Sequence, residues 1–207
     1  MKLQIAFDMT DLEKALIIAQ DIQDYTDILE VGSLLIFKHG ELAVKKFKEK
    51  FSQKTILADA KIVDRSKDAV TLFAQAGADW ITVMAGTNKN VIHNACTVAH
   101  QMGKKIMLDL LDATSVGQIA LEAASFGVDA LVFHHPIDEE ERLVFNDTLE
   151  MVKGNTKLPL FISVEPNHET IKNIVGINPY GVIISRTITL ADNPKAEAQF
   201  YYDTLKG

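Results

Sequence analysis

The sequence alternates short apolar runs with longer amphipathic segments, and this alternation recurs eight times along its 207 residues. Most of the runs are continuously apolar, as expected for parallel strands that are covered on both faces. The segments between them carry apolar residues at helical spacing. The eight runs are LQIAF, DILEVG, TILADAKI, WITVMA, KIMLDLL, ALVFHH, LPLFISV and GVIIS.

The helical segments also carry recognisable ends. Thr10 is expected to cap the first helix, and Gly77 and Gly127 are expected to end two others before a Gly-x-Asp return into the sheet. In the segment KDAVTLFAQAGAD, the spacing places Leu72 on the face that packs against the core.

Eight strand–helix units predict a single-domain (β/α)8 TIM barrel over residues 1–207, slightly compact for that fold. A doubly wound open sheet is the alternative, because a count of strands does not show closure. No Gly/Ser/Pro-rich linker divides the chain, and neither a GxGxxG motif, a P-loop nor a paired CxxC occurs in it.

Composition excludes several classes of function. The formal net charge is −7 and no Lys/Arg block occurs, so nucleic-acid and anionic-membrane partners are not expected. The single cysteine, Cys96, indicates a reducing compartment. The first residues lack the apolar core of a signal peptide, and no apolar run reaches the roughly 20 residues that a membrane span needs. A soluble cytoplasmic protein is expected.

Ionisable side chains stand at or near the ends of most of the predicted strands. In a (β/α)8 barrel these ends meet at one mouth, where active sites lie. Lys61 lies two residues beyond Asp59, so strand alternation places both side chains on one face. A structural ion pair at the rim explains one such strand but not the whole set, which comprises Asp8, Glu30, Asp59, Asp109, His134 and Glu165.

The residue types predict the chemistry of this mouth. Clustered carboxylates repel one another unless a cation joins them, and oxygen ligands suit Mg²⁺, for which Glu30 and Asp59 are the best candidates. Lys61 is suited to stabilising an oxyanion or protonating a carbanion. The imidazole of His134 is a residue type suited to acid/base catalysis. Together these groups indicate formation of an enediolate beside a carbonyl.

Several of these segments resemble a known family. The segments LQIAFD, DILEVG, ILADAKIVD, GADWITV and GVDALVFHH are similar to the orotidine 5′-monophosphate decarboxylase suprafamily, in its branch of 3-hexulose-6-phosphate synthase and 3-keto-L-gulonate-6-phosphate decarboxylase. The most specific part is the Asp-x-Lys-x-x-Asp pattern of Asp59, Lys61 and Asp64. The resemblance implies a homodimeric barrel that uses Mg²⁺ to stabilise the 1,2-enediolate of a sugar phosphate.

The resemblance also implies individual roles. It gives Glu30 and Asp59 the role of Mg²⁺ ligands, and it places Asp8 in a network of aspartates and lysine. Lys61 and His134 resemble the acid/base groups. Asp64 resembles the aspartate that is contributed to the neighbouring subunit's site, so that the active sites of the homodimer are shared.

Within this branch the residues favour the synthase, which joins formaldehyde to ribulose 5-phosphate. The decarboxylase has an arginine at the position of Ile137 and a glutamate at the position of Asp109, where the synthases have aspartate. The tail TITLADNPKAEA also resembles the synthases, whereas Arg186 matches the decarboxylase. The decarboxylase remains the alternative.

The phosphate-binding segment departs from the family pattern. Both branches have glycines after strand 7 and at strand 8, where this chain has Val164, Glu165 and Ser185. A carboxylate beside a phosphate repels it, so Glu165 is expected to turn away or to pair with Arg186; otherwise the phosphate site is weakened. This departure motivates an alternative of another class, a catalytically lapsed barrel that binds a metabolite or acts as a scaffold.

Overall fold

A computed structural model of the chain describes residues 1–134 and 141–207. The strands β1 to β8 span Lys2–Phe7, Ile28–Val31, Thr55–Ile62, Trp80–Met84, Lys105–Asp109, Ala130–His134, Leu160–Ser163 and Gly181–Ile184. The helices α1 to α10 span Leu12–Ile22, Ser33–His39, Glu41–Lys50, Ser66–Gln75, Lys89–Gln101, Val116–Phe126, Glu141–Asn155, Ile171–Ile177, Arg186–Thr189 and Pro194–Lys206. A 3-10 turn, Gln23–Tyr25, follows α1.

The sheet closes on itself. Each strand pairs in parallel with its neighbour in the chain, and β8 pairs with β1 through Ile184 and Ile5, which gives a closed barrel of eight strands. Closure leaves no sheet edge and excludes the open, doubly wound sheet. The (β/α)8 barrel predicted from the eight apolar runs is therefore confirmed.

The core has two layers because the strands are covered on both faces. Inside the barrel lies a cluster that includes Leu57, Met107 and Phe161. A larger cluster between the sheet and the surrounding helices includes Phe7, Phe47 and other fully buried side chains. Burial on both faces is the physical reason why the strands are continuously apolar. No helix within residues 1–134 and 141–207 is long and apolar enough to cross a membrane.

Two details of the helices differ from the sequence prediction. The first helix is capped by Asp11, whose side chain accepts from the backbone N–H of Lys14, and not by Thr10. Leu72 is exposed, because the buried face of α4 is formed by Val70, Phe73 and Ala74. The prediction for Gly127 is confirmed, since it ends α6 in the left-handed conformation.

The aspartates that precede the strands hold the opposite end of the barrel together. Asp79 Oδ2 accepts from the backbone N–H of Ile56 at 2.9 Å, and Asp129 Oδ2 accepts from that of Ile106 at 2.8 Å. In each case a carboxylate satisfies the N–H of the second residue of a neighbouring strand. The Gly-x-Asp returns are thus structural, and the carboxylates left for chemistry lie at the C-terminal end.

Candidate active site

A cavity of about 310 Å³ opens at the C-terminal ends of the strands. The expected ionisable groups converge here, since the cavity is lined by Asp8, Glu30, Asp59, Lys61, Asp109, His134, Glu165 and Ser185. Apolar residues of the inner cluster, such as Met107 and Ile183, form its floor. The sequence prediction that these polar groups share one mouth is confirmed.

Two candidate residues do not reach this cavity within their own chain. Asp64 is exposed in the loop after β3, where its Oδ1 accepts from the backbone N–H of Arg65 at 2.7 Å. Arg186 is exposed at the first position of α9. Ile137, which separates the two branches of the family, lies outside the described residues.

Asp109 joins the two candidate acid/base groups. Its Oδ2 accepts from Lys61 Nζ at 2.7 Å, and its Oδ1 lies 2.8 Å from His134 Nε2, which must be the donor to an ionised carboxylate. The Asp109 side chain is 2% exposed, whereas those of Lys61 and His134 are 29% and 30% exposed. Burial opposes ionisation, but the hydrogen bond and charge of His134, together with Lys61, lower the pKa of Asp109 to about 2. Asp109 is therefore a buried anion that orients two groups facing the cavity.

Lys61 reaches this position through an irregularity in β3. The register against β4 shifts between Ala58 and Ile62, and Lys61 adopts a positive φ of 43°, which is uncommon for a residue with a side chain. Its backbone N–H donates to Thr82 Oγ1 at 2.9 Å. Asp59 and Lys61 do face the same side, 3.3 Å apart, but a bulge produces this arrangement and simple alternation does not. Such strain is typical of functional sites.

The charge of Lys61 is set by its carboxylate neighbours. Burial by itself would lower the pKa of its ammonium group, but Asp59 and Asp109 outweigh this effect and raise it. Lys61 is therefore a permanent cation at neutral pH. In this state it can stabilise an oxyanion, and it can deliver a proton only to a strongly basic centre.

Asp59 is fixed by three donors. Ser33 Oγ donates to its Oδ2 at 2.5 Å, Thr82 Oγ1 donates to its Oδ1 at 2.9 Å, and Lys61 contributes the ion pair. Because Thr82 also accepts from the backbone of Lys61, one hydroxyl connects the carboxylate with the bulge. The carboxylate is thereby held in one orientation at the barrel mouth.

Glu30 and Asp8 complete an anionic cluster beside Asp59. Glu30 is buried, and Gln4 Nε2 donates to its Oε2 at 2.5 Å. Burial and the charge of Asp59 raise the pKa of Glu30 well above its ordinary range and also raise that of Asp8. A cation placed among these groups would relieve the repulsion between carboxylates that contributes to both raised pKa values.

The donor set of Glu30 and Asp59 fits Mg²⁺. This ion is usually bound by one or two carboxylates, with water and substrate oxygens as the other ligands. In residues 1–134 and 141–207, no three His, Cys, Asp or Glu side chains form a group that could hold a metal by themselves. The fit therefore rests on a pair of carboxylates, with substrate or water oxygens completing the coordination shell of the ion.

Gly32 allows Asp8 to approach the cluster. A Cβ at this position would lie 2.3 Å from Asp8 Oδ1 and 2.6 Å from the carbonyl oxygen of Phe7. Both distances are far below van der Waals contact, so the end of β2 can pass this close to Asp8 only without a side chain.

Sequence reasoning missed three polar residues that support the site, namely Gln4, Ser33 and Thr82. A signal exists for two of them, because Gln4 and Thr82 interrupt the otherwise apolar runs LQIAF and WITVMA. A buried polar side chain within an apolar strand needs a partner, and here the partners are Glu30 and Asp59. Ser33 carries no such signal, since it begins a helix.

Glu165 contacts the main chain of the short helix α9. Its Oε1 accepts from the backbone N–H of Arg186 at 3.0 Å, and its Oε2 accepts from the backbone N–H and Oγ1 of Thr187, both at 2.8 Å. The contact to Arg186 thus involves its main chain. Ser185 is buried, and its Oγ donates to the carbonyl oxygen of Ala6 at 2.9 Å.

Comparison with known proteins gives full-length matches. A protein of Staphylococcus epidermidis named 3-hexulose-6-phosphate synthase is 32% identical over 211 residues, covering 100% of both chains. A protein of Staphylococcus aureus with the same name is 31% identical over the same length and coverage.

Solved structures also match over nearly the whole length of the chain. The crystal structure of 3-hexulose-6-phosphate synthase from Salmonella typhimurium has a TM-score of 0.91 and 30% identity, and it covers 100% of this chain and 99% of its own. The structure of 3-keto-L-gulonate-6-phosphate decarboxylase from Vibrio cholerae has a TM-score of 0.86 at 24% identity, covering 99% of this chain and 97% of that chain, which shows a shared fold. The family model described as orotidine 5′-phosphate decarboxylase / HUMPS matches residues 1–201. The chain therefore belongs to the orotidine 5′-phosphate decarboxylase / HUMPS family.

Proposed function

We propose that this chain is a lyase that makes or breaks a carbon–carbon bond through the 1,2-enediolate of a ketose. The 3-hexulose-6-phosphate synthase reaction, between formaldehyde and ribulose 5-phosphate, is the candidate. The observation that carries the proposal is the arrangement of Lys61 and His134 on the two oxygens of buried Asp109, facing a cavity. The full-length relatives named as synthases favour this reaction over decarboxylation.

These residues suit the steps of the reaction. Removal of a proton from C1 of the ketose leaves negative charge on the carbonyl oxygen, and C1 of the enediolate then bonds to the carbon of formaldehyde, whose oxygen takes up a proton. With His134 Nε2 donating to Asp109, Nδ1 is chemically able to accept and return a proton. Lys61 supplies a positive charge that stabilises the enediolate oxygen.

Mg²⁺ is part of the proposal. Glu30 and Asp59 would hold the ion, and it would act as a Lewis acid that polarises the oxygens of the substrate. Support comes from the raised pKa of Glu30, which burial and the neighbouring Asp59 cause, and from the hydroxyls of Ser33 and Thr82 that orient Asp59. Asp8 adds further negative charge at the same place.

A homodimer with shared active sites is also part of the proposal. Asp64 lies outside the cavity of its own chain and is exposed. The neighbouring Val63 is 58% exposed, and Phe37 on α2 is 75% exposed. Large apolar side chains exposed on this face of the chain, with Val63 next to Asp64 in the sequence, favour a surface covered by a second copy, into whose site Asp64 would project.

Proton exchange in D₂O tests the proposed enediolate. The protein is incubated with D-ribulose 5-phosphate and Mg²⁺, and deuterium at C1 is followed by NMR. We expect incorporation that Lys61→Ala abolishes and that Lys45→Ala, at an exposed lysine on α3, leaves unchanged. No incorporation and no formaldehyde-dependent product would reject the synthase reaction. Release of CO₂ from 3-keto-L-gulonate 6-phosphate would then identify the decarboxylase, and inactivity in both assays would favour a binding protein.

A further inference from the structure

The loops after β7 and β8 meet at the rim of the cavity, a position at which this fold often binds phosphate. In (β/α)8 barrels, these two loops and the start of a short extra helix frequently bind the phosphate of a substrate through backbone N–H groups. Here the short extra helix is α9, which is separated from β8 by the single residue Ser185. Glu165, which follows β7, and Ser185, which follows β8, both line the cavity that holds Lys61 and Asp59.

The backbone donors at this position are already bound by a side chain of the same protein. The N–H groups of Arg186 and Thr187 donate to the two oxygens of Glu165 at 3.0 and 2.8 Å, and the Thr187 hydroxyl also donates to Oε2. A carboxylate with two oxygens on adjacent N–H groups makes the contacts that two oxygens of a phosphate would make. Glu165 thus occupies these donors by itself.

The negative charge around Glu165 also disfavours the binding of a phosphate. Glu169 and Glu197 lie beside it on a common open surface. Glu197 is paired with His168 at 2.9 Å, while Glu165 directs its charge to main-chain donors that carry no full positive charge. A phosphate dianion approaching these N–H groups therefore meets a carboxylate that it must displace. A neutral hydroxyl group at the same place meets no such repulsion.

We infer that Glu165 is a specificity-determining residue that selects against a phosphate at the end of the substrate remote from the reacting carbons and favours a ketose that carries a hydroxyl group there. The inference rests on the proposed function for the ketose, but the selection against phosphate rests on the contacts of Glu165. The candidate reaction then proceeds on ribulose 5-phosphate with low affinity, and removal of the carboxylate improves that affinity.

Binding of unreactive polyols tests this inference separately from catalysis. Ribitol 5-phosphate and ribitol lack the carbonyl group and form no enediolate, and their dissociation constants can be measured by ligand-observed NMR with Mg²⁺ present. We expect Glu165→Ala to bind ribitol 5-phosphate at least tenfold more tightly than the wild-type protein, with ribitol affected less than twofold. Glu49→Ala, at an exposed glutamate of α3, serves as the control and should change neither constant by more than twofold.

A second variant guards against a loss of local structure. Glu165→Gln keeps the size of the side chain and an acceptor for the N–H groups of α9 while removing the charge, so it should also gain affinity for ribitol 5-phosphate. Equal or weaker binding of ribitol 5-phosphate by both variants would overturn the inference, since the carboxylate would then be no competitor. If binding changes as expected but no ketose exchanges deuterium, the proposed enediolate chemistry fails and the role of Glu165 stands.

Discussion

Replacing Asp109 by asparagine removes the charge that connects Lys61 to His134 while keeping the shape of the side chain. In the wild-type protein this carboxylate is 2% exposed and accepts from Lys61 Nζ, from His134 Nε2 and from the backbone N–H of Leu111. Burial disfavours its charge, but the hydrogen bonds and charges of His134 and Lys61 outweigh that effect and lower its pKa from the ordinary 3.8 to about 2. Ionised Asp109 therefore stabilises the fold.

The size and the pH window of this effect follow from the two pKa values. At 1.36 kcal/mol per unit, the shift from 3.8 to about 2 corresponds to about 2 kcal/mol. Since the folded pKa is the lower one, the stabilisation is complete well above pH 3.8 and is lost as the pH falls toward 2. About half of it remains near pH 3.

Urea unfolding of the wild-type protein and of Asp109→Asn, at pH values from 7 to 2.5, measures this quantity. We expect the variant to be about 2 kcal/mol less stable at pH 7, with the difference shrinking below pH 4. Glu30 and Asp8 have pKa values raised by burial and by Asp59, so their effect on stability has the opposite pH dependence. Both residues are present in the wild-type protein and in the variant, so their contributions cancel in the difference between the two. Asp24→Asn, at an exposed aspartate, is the control and should show no such difference. Equal stability at pH 7, or a difference that persists unchanged to pH 2.5, would refute the reasoning.

Two further predictions concern the cation site and the subunit boundary. Burial and the charge of Asp59 raise the pKa of Glu30, so the ionised form of Glu30 destabilises the fold above that pKa. Glu30→Gln should therefore raise the unfolding free energy at pH 7 by on the order of 1 kcal/mol. The same variant should abolish activation by Mg²⁺. A less stable variant that is still activated by Mg²⁺ would contradict this. Mixing inactive Lys61→Ala with inactive Asp64→Ala should restore about a quarter of wild-type activity, since half of the randomly paired dimers contain one intact site. An inactive mixture, with subunit exchange shown by mass spectrometry, would place Asp64 in its own subunit's site.

The sequence by itself determined the class of architecture. Eight mostly apolar runs separated by amphipathic segments require parallel strands covered on both faces by helices. Closure into a barrel, rather than an open sheet, was decided by the pairing of β8 with β1. The sequence also indicated the site, because charged residues such as Asp59 and Lys61 at the ends of apolar strands are costly unless they are paired or functional. Both conclusions depend on which residues are buried, and the local pattern of apolar and polar residues predicts this.

Only the tertiary structure decided how these groups are held. Thr82 reaches Asp59 and the backbone of Lys61 from a neighbouring strand, and the bulge that aims Lys61 depends on the register between β3 and β4. Glu165 and the N–H groups that it binds are separated by about twenty residues in the chain. Such contacts depend on distances between elements brought together by closure of the barrel, and a linear pattern of residue types carries no information about those distances.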